Sequence, residues 1–197
     1  AHPIAATGSV RILMDSGALI ERVDGWSYVT PGVVSSVVPA IGQIGTQVTI
    51  NGAGLMSGAS SLVMVTLASE TVGSIVSNTN SMVVIIASAS SGAKTGDVVL
   101  IASTGAVVTS GNAWEYIQTG EIQSVSPAQG QIGTMVVISG ERLRGASSAV
   151  VTVMLGSLPA TITSQSNTEI QVEVHRSNAA TAGPVTVYGA EGSVITE

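Results

Sequence analysis

Two histidines, His2 and His175, are the side chains best suited to proton transfer or metal ligation near neutral pH, and neither has usable company. His175 closes the alternating run Glu169-Ile-Gln-Val-Glu-Val-His175. It falls on the face shared with Glu169, Gln171 and Glu173, which the alternation assigns to solvent. A Ser-His-Asp device needs a histidine within reach of the nucleophile, and residues 32–119 contain none. Calcium needs six to eight converging oxygens, whereas Asp15, Asp24 and Asp97 are scattered along the chain. The absence of cysteine removes disulfides and thiolate metal sites. The segment Gly42-Gln-Ile-Gly45-Thr46 has the look of a phosphate loop, but it lacks the lysine and the following helix that such a loop requires. Its glycines suit a tight turn with positive φ instead. The expectation is a chain with no catalytic residue, no cofactor and no metal, and hence not an enzyme.

The elements that carry these residues are repeated. Pro39 and Pro127, Gly42 and Gly130, Gly45 and Gly133, Thr46 and Thr134, and Trp26 and Trp114 are each 88 residues apart. Tandem copies are an architectural signal and are read before any motif. Asp15 and Asp24 become Ser103 and Asn112 one period on, and Asp97 answers to Ser9 and Pro184, so no acidic site repeats. The division that follows is residues 1–31 as the back end of one unit, 32–119 as a complete unit, and 120–197 as a unit without its last strand. Such a chain is expected to be a window on a longer tandem array.

Composition sets the class. Of 197 residues, 45% are hydrophobic and only 9% charged, with aromatics at 3% and no Phe. The core must therefore come from Val, Ile, Leu and Ala. Short Val/Ile/Thr runs between Gly/Ser/Asn turns describe an all-β sandwich. In the unit from residue 32, strands are expected near Val34–Pro39, Val48–Ile50, Val63–Leu67, Val72–Val76, Met82–Ala87 and Val98–Ala102, with Trp114-Glu-Tyr116 closing it. About seven strands in about 90 residues is the size of an immunoglobulin-like domain. A net charge of −6 with six Lys plus Arg argues against nucleic acid. No apolar run reaches the roughly 20 residues of a membrane helix.

The pattern Ile122-x-x-Val125-x-Pro127-x-x-Gly130-x-x-Gly133-Thr134-x-Val136-x-Ile138-x-Gly140-x-x-Leu143, with its copy from Val34 to Leu55, resembles the IPT/TIG domain. Trp114-x-Tyr116 resembles the aromatic-x-Tyr end of that family. The resemblance covers essentially the whole chain and implies tandem immunoglobulin-like sandwiches. It places close tandem copies with large extracellular or cell-surface proteins. Rel-type members bind DNA through basic loop residues, which this sequence lacks.

The outward positions carry the functional expectation. Met82, Val84 and Ile86 align with Glu169, Gln171 and Glu173, while Val99 and Ile101 align with Thr186 and Tyr188. A free antiparallel sandwich alternates apolar in and polar out, so these five residues are expected to form an exposed apolar face that packs against other copies of the same or related chains. Trp26, Tyr28, Trp114 and Tyr116 are expected at the junction between units, with a link short enough to hold a fixed angle. Dense Ser/Thr at 57–61 and 88–91 would suit O-linked glycans, and no Asn-x-Ser/Thr sequon occurs. The function expected is that of a structural segment that forms or decorates a filament or surface appendage, such as a flagellar hair. The alternative is an adhesin or receptor module that holds a carbohydrate or protein ligand in its end loops.

Overall fold

The computed structural model describes residues 6–177 and 182–197, and every regular element among them is a β-strand. The chain opens with a hairpin, β1 (Ala6–Leu13) and β2 (Leu19–Tyr28). The unit that follows is a two-sheet sandwich. One sheet has the order β3-β5-β9-β8, built from β3 (Val33–Val38), β5 (Gln47–Ala53), β9 (Met82–Ile86) and β8 (Ser74–Asn78). The other has the order β4-β11-β10-β6-β7, built from β4 (Ile41–Gly42), β11 (Val107–Tyr116), β10 (Lys94–Ala102), β6 (Leu62–Leu67) and β7 (Glu70–Thr71). Period-2 alternation sends Val48, Ile50, Val65, Leu67, Val83 and Ile85 into the space between the sheets, where all are fully buried. Burying such a branched side chain stabilises the fold by about 1.5–3 kcal/mol, so the unit needs few aromatics.

One expected strand is corrected. Val72–Val76 is not continuous: β7 ends at Thr71 and β8 begins at Ser74. The Val72 amide donates to the Val65 carbonyl of one sheet (3.1 Å) and the Gly73 amide to the Ile86 carbonyl of the other (2.8 Å). The chain crosses between sheets there, so successive amides serve opposite layers.

The next unit repeats the plan with β12 (Glu121–Ser126), β13 (Met135–Glu141), β14 (Val150–Leu155), β15 (Leu158–Gln165), β16 (Glu169–Glu173), β17 (Val185–Gly189) and β18 (Val194–Thr196). Here the crossing strand, β15, is unbroken. It pairs with β14 at one end and β16 at the other, which joins all seven strands in one ribbon.

The opening hairpin copies β10 and β11. Gly8 pairs with Trp26 as Gly96 pairs with Trp114, and each ladder has its bulge immediately afterwards, between Gly8 and Val10 and between Gly96 and Val98. Asp24 and Asn112 both sit in the left-handed region, with φ of 52° and 48°. Asp and Asn tolerate that conformation better than other side chains, which gives these two positions a structural role in place of a chemical one. Among the described residues no helix is long and apolar enough to cross a membrane.

Candidate functional site

The most organised polar site lies where one unit meets the next. Gly42-Gln43-Ile44-Gly45-Thr46 forms the loop between β4 and β5. The Thr46 amide donates to the Gln43 carbonyl (3.2 Å), the Gln43 amide donates to Thr46 Oγ1 (3.1 Å), and the Gly45 amide donates to the Ala87 carbonyl (3.0 Å). These bonds make a rigid socket. Gly42 is required because a Cβ there would strike Thr46 Oγ1 and Trp114. Gly45 is required twice over: its φ is 87°, and a Cβ would lie 2.6 Å from the Gly192 carbonyl oxygen of the next unit.

Into this socket fits the turn between β17 and β18. The Gln47 amide donates to the Glu191 carbonyl (2.7 Å) and the Val194 amide to the Ile44 carbonyl (3.4 Å). The Gln43 side chain locks the contact. Its Nε2 donates to the Val194 carbonyl (3.0 Å) and its Oε1 accepts from the Gly120 amide in the link (3.0 Å). At 1% exposure Gln43 is a buried amide with both ends satisfied, which is the condition under which burying one costs little. Gln43, Thr46, Ser147 and Ser193 are the buried polar side chains among the described residues, and all four lie here. Ser147 and Ser193 hydroxyls are 2.8 Å apart, and Ser193 Oγ donates to the Arg144 carbonyl (3.1 Å).

Glu191 braces the turn from its outer side. Its carboxylate accepts from the Ser148 amide (2.9 Å) and the Ser148 hydroxyl (2.8 Å). Partial burial raises the pKa of this carboxyl, but hydrogen bonding from Ser148, with smaller help from the Ser147 hydroxyl and its own amide, outweighs it and holds the group below its ordinary value.

Of the four aromatic residues expected at the junction, Trp114 and Tyr116 lie in the core beside it, and Trp26 and Tyr28 lie on the opening hairpin. Trp114 (1% exposed) and Tyr116 are core residues of their own unit, packed edge to face with ring centroids 5.5 Å apart. Trp114 supports the socket from beneath, through Gly42. Burial pushes the Tyr116 phenol above its ordinary value, with the Ser88 hydroxyl opposing and the Glu70 charge adding to it. Trp26 (59% exposed) and Tyr28 keep the same edge-to-face pairing, at 6.1 Å, on the opening hairpin. Their counterparts Trp114 and Tyr116 are buried in the core of their own sandwich.

The expected apolar face is narrower than the alternation suggests. Met82 is exposed, Ile86, Val99 and Ile101 are half-buried, and Val84 is buried at 9% exposure. Val84 lies between Thr49 of β5 and Ser77 of β8 in the ladder. A short branched side chain flanked on both sides keeps little surface. The outer patch that remains is on the other sheet, where Ile101 pairs with Met64 and Val107, both exposed.

His2 lies outside the described residues. His175 is exposed, with its Nε2 2.6 Å from the Thr161 hydroxyl. Asp97 caps the β10–β11 bulge, accepting from the Asn112 amide (2.9 Å). Among the described residues no three His, Asp or Glu converge in a way that could hold a metal ion.

Two immunoglobulin-like sandwiches in series, joined by a built contact, define the class. The profile of the IPT/TIG domain matches residues 33–116 and again 121–194, and the chain belongs to that family. Two solved structures of the full extracellular region of plexin A4 share the fold. One, covering domains 1 to 8, is 23% identical, with 86% of this chain and 18% of that chain covered, at a TM-score of 0.51. The other, covering domains 1 to 10, is 21% identical, with 86% and 16% covered, at a TM-score of 0.54. This chain thus spans less than a fifth of either. No curated protein matches it.

Proposed function

We propose that this chain is a structural, non-catalytic segment of an extracellular or cell-surface repeat protein, and that its units lock end to end into a rod which forms or decorates a filament. The observation that carries this reading is the Gln43 junction. A flexible string of domains needs only a tether, whereas here a buried side chain, the link amide of Gly120 and two backbone bonds between loop and turn fix one unit on the next. Interfaces between domains of one chain are ordinarily polar and permit motion; a desolvated amide satisfied from two directions opposes it. The extracellular setting is supported by the plexin regions that share the fold. Lateral packing through Ile101, Met64 and Val107 would join such rods, as the apolar character of that patch suits other copies of the chain. O-linked glycans on exposed loop serines such as Ser60 and Ser91 are compatible with this arrangement.

Electron microscopy of the parent protein tests the reading. Straight rods with an axial repeat of one or two sandwich units support it. Flexible beads on a string contradict it and favour the ligand-binding alternative.

A further inference from the structure

The socket at Gly42–Thr46 has a twin. Gly130-Gln131-Ile132-Gly133-Thr134 carries the same five residues in the same order, and it is already folded the same way. The Thr134 amide donates to the Gln131 carbonyl (3.0 Å), the Gln131 amide to Thr134 Oγ1 (3.0 Å), and the Gly133 amide to the Val174 carbonyl (3.0 Å). Gly133 has a φ of 81°, against 87° for Gly45. What differs is occupancy. Gln43 is buried and Gln131 exposed. A Cβ on Gly45 would strike the next unit, whereas one on Gly133 would meet nothing within 4 Å.

The matching part also recurs. The turn that fills the first socket has the Gly189 amide donating to the Ser193 carbonyl and the Gly192 amide to the Gly189 carbonyl. The turn after β10 repeats this with Ala102, Gly105 and Ala106, and the turn after β1 repeats it with Met14, Gly17 and Ala18. All three hold glycine at the third turn position, with φ of 82°, 85° and 89° for Gly17, Gly105 and Gly192. At Gly192 the socket makes a side chain impossible, since a Cβ would come within 2.7 Å of the Gly45 carbonyl oxygen. The other two turns have kept the shape that the socket demands.

We propose that Gly130–Thr134 is a second docking socket, and that its occupant is the β17–β18-type turn of a further copy of this same repeat, clamped by Gln131 as Gln43 clamps the first. This rests on the rod reading above and extends it. Because the turn of one unit enters the socket of the unit before it, the contact is head-to-tail, and the same contact can be repeated from each unit to the next.

The test is hydrogen exchange on a longer protein in which residues 111–197 are joined a second time after Glu197. That addition completes the strand begun by β18, since Glu197 stands 87 residues after Ser110, and appends one more copy of a unit that folds in the present chain. The Gln47 amide reports on the first junction. The Met135 amide holds the equivalent place, turned away from β16 by the same register. In the 197-residue protein Met135 should exchange fast and Gln47 slowly. In the longer protein Met135 should slow by about tenfold or more. Fast exchange at Met135 with Gln47 still protected overturns the second socket and leaves the rod reading standing; fast exchange at both overturns the two together. As an independent readout, Gln131→Ala should lower the melting temperature of the longer protein but not of the shorter one. An unchanged melting temperature in the longer protein also overturns the proposal.

Discussion

The Gln43 side chain donates to the Val194 carbonyl across 151 residues of sequence, at 3.0 Å. The same amide accepts from Gly120 at the start of the next unit. One side chain therefore ties together the socket, the link and the incoming turn, and the consequences can be measured one residue at a time.

Gln43→Ala removes both bonds and leaves the half-buried Gly120 amide and Val194 carbonyl without these partners. Such a loss costs about 1–3 kcal/mol. Gln131→Ala in the 197-residue protein touches an exposed side chain and should stay within about 0.5 kcal/mol. Chemical denaturation of the two variants checks the contrast.

Gly45→Ala and Gly133→Ala form a matched pair. Both force alanine into a positive φ, at a cost of about 1–2 kcal/mol. Only Gly45→Ala also pushes a methyl into the Gly192 carbonyl. Its melting temperature should fall further than that of Gly133→Ala, and the difference isolates the junction.

Trp114→Ala empties the core beneath the socket and should cost about 3–5 kcal/mol. Trp26→Ala removes a largely exposed ring and should change stability by about 0.5 kcal/mol or less. Equal losses would mean that Trp26 is buried against a part of the molecule other than its hairpin.

Hydrogen bonds, chiefly from Ser148, outweigh desolvation and hold the Glu191 carboxyl below its ordinary value of 4.5. A depressed folded-state pKa contributes stability above the unfolded value, and that contribution is lost as pH falls through the folded one. Thermal stability should therefore decline as pH drops below about 4.5. Glu191→Gln should flatten that decline by lowering stability near pH 7, where the contribution is full, and changing little in acid, where it is already lost.

Much of the fold could be read from the chain, and the failures have physical causes. Alternation points Val65, Leu67, Val83 and Ile85 inward, where they are fully buried, because a strand with one buried face must show period 2. Val84 escaped the same logic, since neighbouring strands, which alternation cannot count, cover its outer side. Trp114 and Tyr116, at alternate positions near the end of the unit, fill the core beside the junction, and Trp114 backs the socket glycine Gly42. Gln43 is harder to read from the sequence, because a polar residue between glycines looks like an ordinary solvated turn. The clue was available: Gln recurs at 131 within an identical five-residue loop, where a turn alone asks only for the glycines and Thr.

The most direct test of a locked junction is the distance between spin labels on the two units. The chain has no cysteine, so Ser77→Cys and Ser164→Cys, at equivalent exposed positions, can be labelled cleanly and measured by pulsed electron paramagnetic resonance. A single narrow distance distribution that broadens on adding Gln43→Ala is the result this account predicts. A broad distribution in the otherwise unaltered protein, unchanged by Gln43→Ala, would contradict it.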